Sequence, residues 1–135
     1  MDTQLAADDR MSYKTPLARV IGLGSAKDGS SHWWWQRLTA LALVPLTLWF
    51  IFSISTLTGE CVADIRGWME SPLTATLLIA FVVSLFYHAQ LGVQVVVEDY
   101  VHHEGMKVGT ILAVKFLSVM LVISSTISIL RVALG

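Results

Sequence analysis

The chain has 135 residues, of which 55% are hydrophobic and only 14% are charged, and its formal net charge is −1. Soluble domains carry roughly 25% charged residues, so much of this chain faces something other than water. The composition excludes a disordered protein, and the lack of a basic excess excludes a nucleic-acid partner. The single cysteine, Cys61, cannot form a disulfide within the chain, and four histidines with one cysteine make no zinc-finger pattern.

Residues 1–31 precede the first long apolar stretch and contain one proline and three of the glycines, Pro16, Gly22, Gly24 and Gly29. Such residues are typical of irregular chain. We therefore expect an N-terminal cytoplasmic arm over residues 1–31 and a membrane anchor domain over residues 32–135.

Three segments of the anchor domain are free of charge or nearly so: 38–59, 71–97, and 108–130, where Lys115 is the only charge. Each exceeds the ~20 residues that a helix needs to cross ~30 Å of hydrocarbon. Lipid cannot satisfy backbone N–H and C=O groups, so such segments must be helical. The sequence predicts an all-α fold, an up-down-up bundle of three transmembrane helices at about residues 34–58, 71–99 and 107–133. Buried helices of a soluble core are the alternative, but they would need a large polar exterior.

Lysine and arginine are distributed unequally between the two ends of these helices. The side that holds the connection between the first two helices and the C-terminus carries only Arg66 and Arg131. The side that holds the N-terminus carries six basic residues: Arg10, Lys14, Arg19, Lys27, Arg37 and Lys107. The positive-inside rule then predicts a cytoplasmic N-terminus and a periplasmic C-terminus. The run Trp33–Trp35 is typical of an aromatic belt at the membrane surface.

His88 interrupts the second apolar segment. It precedes Glu98 by about 15 Å of helix, which predicts a position near the bilayer midplane. Ser84 and Gly92 lie about 40° to either side of it in projection, so a flat macrocycle could approach and His88 is a candidate axial haem ligand. A helix-packing face of small residues, or a histidine that hydrogen-bonds a neighbouring helix, are the alternatives. No second histidine is expected at this depth, so a partner protein or second copy would supply the other ligand.

The second helix ends in Glu98, Asp99 and Tyr100. A tyrosine here can belong to an aromatic belt, but an acid beside a phenol can also donate protons to a quinone carbonyl. Arg37 enters the first helix from the same side of the membrane, where its partner could be Asp99, a lipid phosphate or a haem propionate. The adjacent residues 102–104, His-His-Glu, indicate a solvated surface rather than a metal site.

These residues together resemble a known family, the smaller hydrophobic membrane-anchor subunits of succinate dehydrogenase, respiratory complex II. The resemblance covers about residues 19–135. It rests on the pattern His-x(3)-Gly-x(6)-Asp-Tyr of the second helix and on residues of the first-helix entry: His88, Gly92, Asp99 and Tyr100, then His32, Arg37 and Thr39-Ala40. The stretch 20–27, Val-Ile-Gly-Leu-Gly-Ser-Ala-Lys, is similar to alphaproteobacterial members.

The resemblance implies a role for each matching residue. His88 matches the axial ligand of haem b, whose opposite ligand comes from a companion anchor subunit, cytochrome b556. Tyr100 matches the tyrosine that hydrogen-bonds ubiquinone, and Asp99 matches the neighbour that organises this site. Arg37 matches the arginine near the haem propionates, with His32 as a further neighbour.

The resemblance also implies partners and a location. A flavoprotein subunit with FAD oxidises succinate, an iron–sulfur subunit carries the clusters, and the anchor holds both at the bacterial inner membrane. This chain is then not an enzyme on its own, but part of the complex that links the tricarboxylic acid cycle to electron transport. The alternatives are the anchor of a quinol:fumarate reductase and a non-enzymatic three-helix membrane protein, in which His88 and Lys115 are packing or proton-relay groups.

Overall fold

The computed structural model describes residues 26–135, and side chains from residue 29 onward. This part of the chain contains no strand and consists of four helices: α1 (Ala26–Leu57), α2 (Val62–Glu70), α3 (Pro72–Tyr100) and α4 (Glu104–Ala133). The all-α prediction is confirmed. Residues 1–25 of the predicted arm lie outside the described part of the chain. Contacts divide the chain after His32, and the packing described below is that of residues 33–135.

Three of the helices are long and apolar enough to cross a membrane, over Gly29–Leu57, Pro72–Tyr100 and Glu104–Ala133. The 29 residues of α3 extend about 43 Å at ~1.5 Å per residue, more than the ~30 Å hydrocarbon thickness. α1 begins at Ala26 rather than near residue 34. A lone glycine such as Gly29 costs a helix only about 1 kcal/mol, which does not end it.

Side-chain contacts establish the antiparallel order of the long helices. On α1 and α3, Thr39 meets His88, and the ring of Phe50 stacks on Phe81 with 5.0 Å between centroids. Residue numbers thus fall along α3 as they rise along α1. The short segment 101–103 then reverses the chain into α4, whose far end packs on the start of α3. The up-down-up bundle is confirmed.

Helix α2 lies between the first two long helices, in a segment where the sequence predicted no helix. Its apolar positions recur at helical spacing and include Val62, Ile65 and Trp68. The Trp68 ring stacks on Trp49 of α1 with centroids 5.9 Å apart, so α2 packs back onto the bundle. Ser71 separates α2 from α3 in an extended conformation, as expected of a residue before a proline that opens a helix.

The interior of the described part is small, and its buried hydrophobic residues are Ala75, Leu78, Leu91, Val97 and Ile129. Many large apolar side chains face outward, including Leu41 and Phe52, each 71% exposed. Helices of a soluble core would bury such side chains. In a membrane, lipid or a neighbouring subunit can cover them. The exposure pattern therefore favours a membrane-embedded bundle.

Candidate functional site

His88 lies on α3, half-buried where this helix meets α1. Its Nδ1 atom is 3.0 Å from Oγ1 of Thr39, a hydrogen-bond distance. The hydroxyl of Thr39 also lies 2.8 Å from the carbonyl oxygen of Trp35 and 3.1 Å from that of Gln36. Thr39 itself is only 8% exposed, so the contact with His88 is shielded by protein. One ring nitrogen of His88 is thus engaged by α1, and the structure gives its Nε2 atom no partner among the described residues.

A second polar contact holds α3 near the same place. Ser118 of α4 donates a hydrogen bond from Oγ to the carbonyl oxygen of Phe86, at 3.0 Å. Within residues 33–135, this contact and the one between Thr39 and His88 are the two side-chain hydrogen bonds between different helices. Both fall within two residues of His88, so α1 and α4 together fix this turn of α3.

The small residues predicted beside His88 share its face of α3. Ser84 and Gly92 are half-buried, one turn before and one turn after it. No described atom outside the backbone of its own helix lies within 4 Å of the position that a Cβ on Gly92 would take. The described residues therefore leave open space beside Gly92, on the same side of α3 as His88. A half-buried imidazole whose Nε2 atom has no partner among the described residues, with space beside it at Gly92, could ligate a haem iron.

Arg37 lies at a different level of the bundle from the one its place in the sequence suggested. Because Thr39 meets His88 and the two helices are antiparallel, Arg37 lies opposite α3 roughly 15 Å before Tyr100. Its guanidinium packs over the ring of Trp33, 4.2 Å from the centroid, as a cation–π contact. No described carboxylate lies within ion-pair distance of it, so the pairing with Asp99 considered above is not formed.

His32 lies on α1 and is half-buried. Its Nε2 atom is covered and has no hydrogen-bond partner among the described residues. Buried polar atoms usually have a hydrogen-bond partner. The Nε2 atom of His32 is therefore able to bind a partner from outside the described residues.

Asp99 and Tyr100 form the exposed end of α3. Tyr100 is 78% exposed, and neither side chain has a hydrogen bond among the described residues. Nδ1 of His102 lies 3.1 Å from the carbonyl oxygen of Tyr100, which ties down the chain just after the helix. The acid and the phenol are therefore presented side by side, free to meet a molecule outside this chain.

Two polar features of the site were missed by sequence reasoning. One is the contact of Thr39 with His88, because Thr39 was recognised only as part of the first-helix motif and no partner was predicted for it. The other is a ladder on α3 in which buried Gln90 donates to Gln94 at 3.3 Å, and Gln94 donates to Glu98 at 2.8 Å. Residues four apart are neighbours on a helix, so this spacing was a usable signal. The distribution of charge does not reveal this ladder, because Gln90 and Gln94 are neutral.

Comparison with known proteins gives consistent results. Residues 11–124 match the family described as succinate dehydrogenase/fumarate reductase transmembrane subunit. A succinate dehydrogenase hydrophobic membrane anchor subunit from Rickettsia bellii is 32% identical over 117 residues, 87% of this chain and 94% of the relative. The subunit of the same name from Paracoccus denitrificans is 29% identical over 78% of this chain and 82% of its own length.

A succinate dehydrogenase membrane anchor subunit from Porphyra purpurea is 32% identical over 82% of this chain and 90% of the relative. No solved structure matches the chain. The family match and the alphaproteobacterial relatives confirm the resemblance inferred from the His88, Gly92, Asp99 and Tyr100 pattern. Together with the three spanning helices, they make this a multi-pass membrane protein. The chain belongs to the family of succinate dehydrogenase/fumarate reductase transmembrane subunits.

Proposed function

We propose that this chain is the membrane anchor subunit of a succinate:ubiquinone oxidoreductase in a bacterial inner membrane. In this role it holds a flavoprotein and an iron–sulfur subunit at the cytoplasmic surface and contributes to a haem b site and a ubiquinone site. The family match supports the complex, and the relatives named above carry the name of succinate dehydrogenase. The chain is then a subunit of an enzyme and does not oxidise succinate itself.

The observation that carries the proposal is the environment of His88. Its imidazole lies between two helices with Nδ1 engaged by Thr39, beside the open space at Gly92. His88 would hold the iron of haem b through Nε2. Bound haem supplies a group that takes up and returns single electrons. A companion anchor subunit, cytochrome b556, would supply the other ligand, because His102 and His103 of this chain lie about 20 Å beyond His88, past the end of α3.

Arg37 of α1 would serve the acidic edge of the haem. Arg37 lies two residues from Thr39 and has no carboxylate partner among the described residues, and a guanidinium matches a propionate in charge and geometry. His32 would be a further neighbour of the haem by the family resemblance alone. The level of Arg37 beside His88, rather than beside Tyr100, favours a propionate over Asp99 as its partner.

Asp99 and Tyr100 would form this chain's part of the ubiquinone site. Reduction of a quinone to a quinol consumes two electrons and two protons, so the site must deliver protons to the carbonyl oxygens. The phenol of Tyr100 can donate a hydrogen bond to one of them. The carboxyl group of Asp99 is exposed at the same end of α3, where it can take up a proton from water and pass it to the site. The iron–sulfur subunit would cover this exposed end of α3.

The proposal is tested by isolating the intact complex from membranes through a tag on this chain. We expect the flavoprotein, the iron–sulfur subunit and the companion anchor to co-purify, with a b-type haem spectrum that His88→Ala removes or converts to a different coordination. Ser84→Ala is the control, because it alters the same face without touching a ligand. A wild-type complex with these subunits but without haem would contradict the ligand role, and isolation of the chain without dehydrogenase subunits would contradict the anchor role.

A further inference from the structure

The hydroxyl of Thr39 stands at a junction of polar atoms inside an apolar part of the bundle. Within 3.1 Å of Oγ1 lie two carbonyl oxygens of its own helix, those of Trp35 and Gln36, and Nδ1 of His88 lies 3.0 Å away. A hydroxyl has one proton to donate and lone pairs with which to accept. The carbonyl oxygens can only accept, so the direction of the hydrogen bond to His88 depends on where the single proton of Thr39 points.

We propose that Thr39 is a positioning residue that holds His88 in the tautomer protonated at Nδ1. The shortest contact of the hydroxyl, 2.8 Å, is the one to the carbonyl oxygen of Trp35, which accepts the hydrogen bond from the hydroxyl. The lone pairs of Oγ1 then face His88, and only an Nδ1–H group can meet them favourably. This inference rests on the proposed role of His88 as a haem ligand.

The consequence lies at the other ring nitrogen. A neutral imidazole carries one proton, so an imidazole protonated at Nδ1 has an unprotonated Nε2 whose lone pair is available to iron. Ligating histidines commonly donate their second ring N–H to an oxygen, which orients the ring and makes the ligand more basic. Thr39 supplies this oxygen from within the same chain. Its hydroxyl is held in place by contacts with two carbonyl oxygens of α1.

The structure also provides a contact that separates this role from ordinary helix packing. Ser118 joins α4 to α3 through the carbonyl oxygen of Phe86, two residues before His88, whereas the hydrogen bond of the imidazole is to Thr39. Loss of that hydrogen bond weakens the bundle beside His88 and leaves Nδ1 bonded. Ser118→Ala is therefore the matched control for Thr39→Val, which keeps the branched shape of the side chain and removes the hydroxyl.

The test compares wild type, Thr39→Val, Thr39→Ser and Ser118→Ala in the complete complex isolated from membranes. Haem content, the electron paramagnetic resonance spectrum of the ferric haem and its midpoint potential are measured. We expect Thr39→Val to weaken haem retention about tenfold or more. It should also raise the midpoint potential of the haem that remains, because a less basic imidazole stabilises the ferric state less. Thr39→Ser restores the wild-type spectrum and potential, and Ser118→Ala leaves both unchanged.

Wild-type spectrum, potential and haem retention in Thr39→Val would overturn the inference while leaving the proposed function standing. So would the same change of potential in Ser118→Ala. A wild-type complex without haem would overturn both together. If Thr39→Val yields too little complex for spectra, the substitution is repeated with His88→Ala. The inference requires the double variant to assemble as well as His88→Ala alone, and a further loss would assign Thr39 to packing.

Discussion

Gly92 lies one helical turn beyond His88 on the same face of α3, and the described chain leaves open space at the position of its missing side chain. Two effects of adding a side chain there can be separated. In the chain itself, alanine is favoured over glycine inside a helix by about 1 kcal/mol. At the proposed haem face, the same side chain stands where a macrocycle must approach.

We therefore expect Gly92→Leu to leave the helical bundle folded and to exclude haem from the complex. Gly109→Leu is the control, because Gly109 is an exposed glycine of α4 that also has open space around it. Haem content per flavin, measured optically on the isolated complex, checks the prediction. Equal haem in the two variants would show that this face of α3 is not the haem face and favour its use in helix packing.

Arg37→Gln is predicted to lower the midpoint potential of the haem. A positive charge near the haem stabilises the reduced state, which carries one electron more, so its removal favours the ferric state. This sign is opposite to that expected for Thr39→Val. Arg37→Lys keeps the charge and should retain most of the wild-type potential, although it loses the planar contact with Trp33. A redox titration followed at the haem band decides, and an unchanged potential in Arg37→Gln would remove Arg37 from the propionate site.

Tyr100→Phe should reduce quinone reduction by about a hundredfold or more, the usual contribution of a positioned proton donor. Oxidation of succinate by a soluble artificial acceptor should be unchanged, because that reaction bypasses the quinone site. Tyr87→Phe is the matched control: Tyr87 lies on α3 about 20 Å before Tyr100 and packs edge-on against Trp35 with ring centroids 6.0 Å apart. Quinone reduction at the wild-type rate in Tyr100→Phe would exclude Tyr100 as a proton donor to quinone and leave it a residue of the aromatic belt.

Features within one helix could be predicted from the sequence, whereas contacts between helices could not. The common face of Ser84, His88 and Gly92 follows from the helical period alone, so spacing was enough to predict it. The contact of His88 with Thr39 depends on the rotation and offset of α1 against α3, which no pattern within either helix fixes. The same offset explains why Arg37 does not pair with Asp99.

The fold was predictable to a similar degree. Long segments without charge identify α1, α3 and α4 because a bilayer imposes a minimum length on each. α2 escaped this criterion because it carries Asp64, Arg66 and Glu70 and is only 9 residues long. Its signal was the recurrence of Val62 and Ile65 at helical spacing, which indicates a helix lying against the bundle rather than crossing the membrane.

The hydrogen bond from Ser118 to the carbonyl oxygen of Phe86 should contribute modestly to stability. Hydrogen bonds between transmembrane helices average about 0.6 kcal/mol, so Ser118→Ala is expected to destabilise the bundle by roughly this amount. In the control Ser128→Ala, the lost hydrogen bond lies within α4, from Ser128 to the carbonyl oxygen of Ser124, and we expect a smaller effect. Unfolding of the detergent-solubilised chain in a denaturing detergent measures the difference. Equal stability of the two variants would show that the hydrogen bond between Ser118 and Phe86 contributes no more to the stability of the bundle than a hydrogen bond within α4.

Cys61 provides a test of the predicted orientation, because it is the single cysteine of the chain and is exposed between α1 and α2. With a cytoplasmic N-terminus, one passage through the membrane places this residue on the periplasmic side. A membrane-impermeant maleimide should therefore label Cys61 in intact spheroplasts. In a Cys61→Ser background, Glu104→Cys at the exposed start of α4 should react only after the membrane is permeabilised. The reverse labelling pattern would invert the topology and place Asp99 and Tyr100 away from the cytoplasm, where a cytoplasmic dehydrogenase could not reach them.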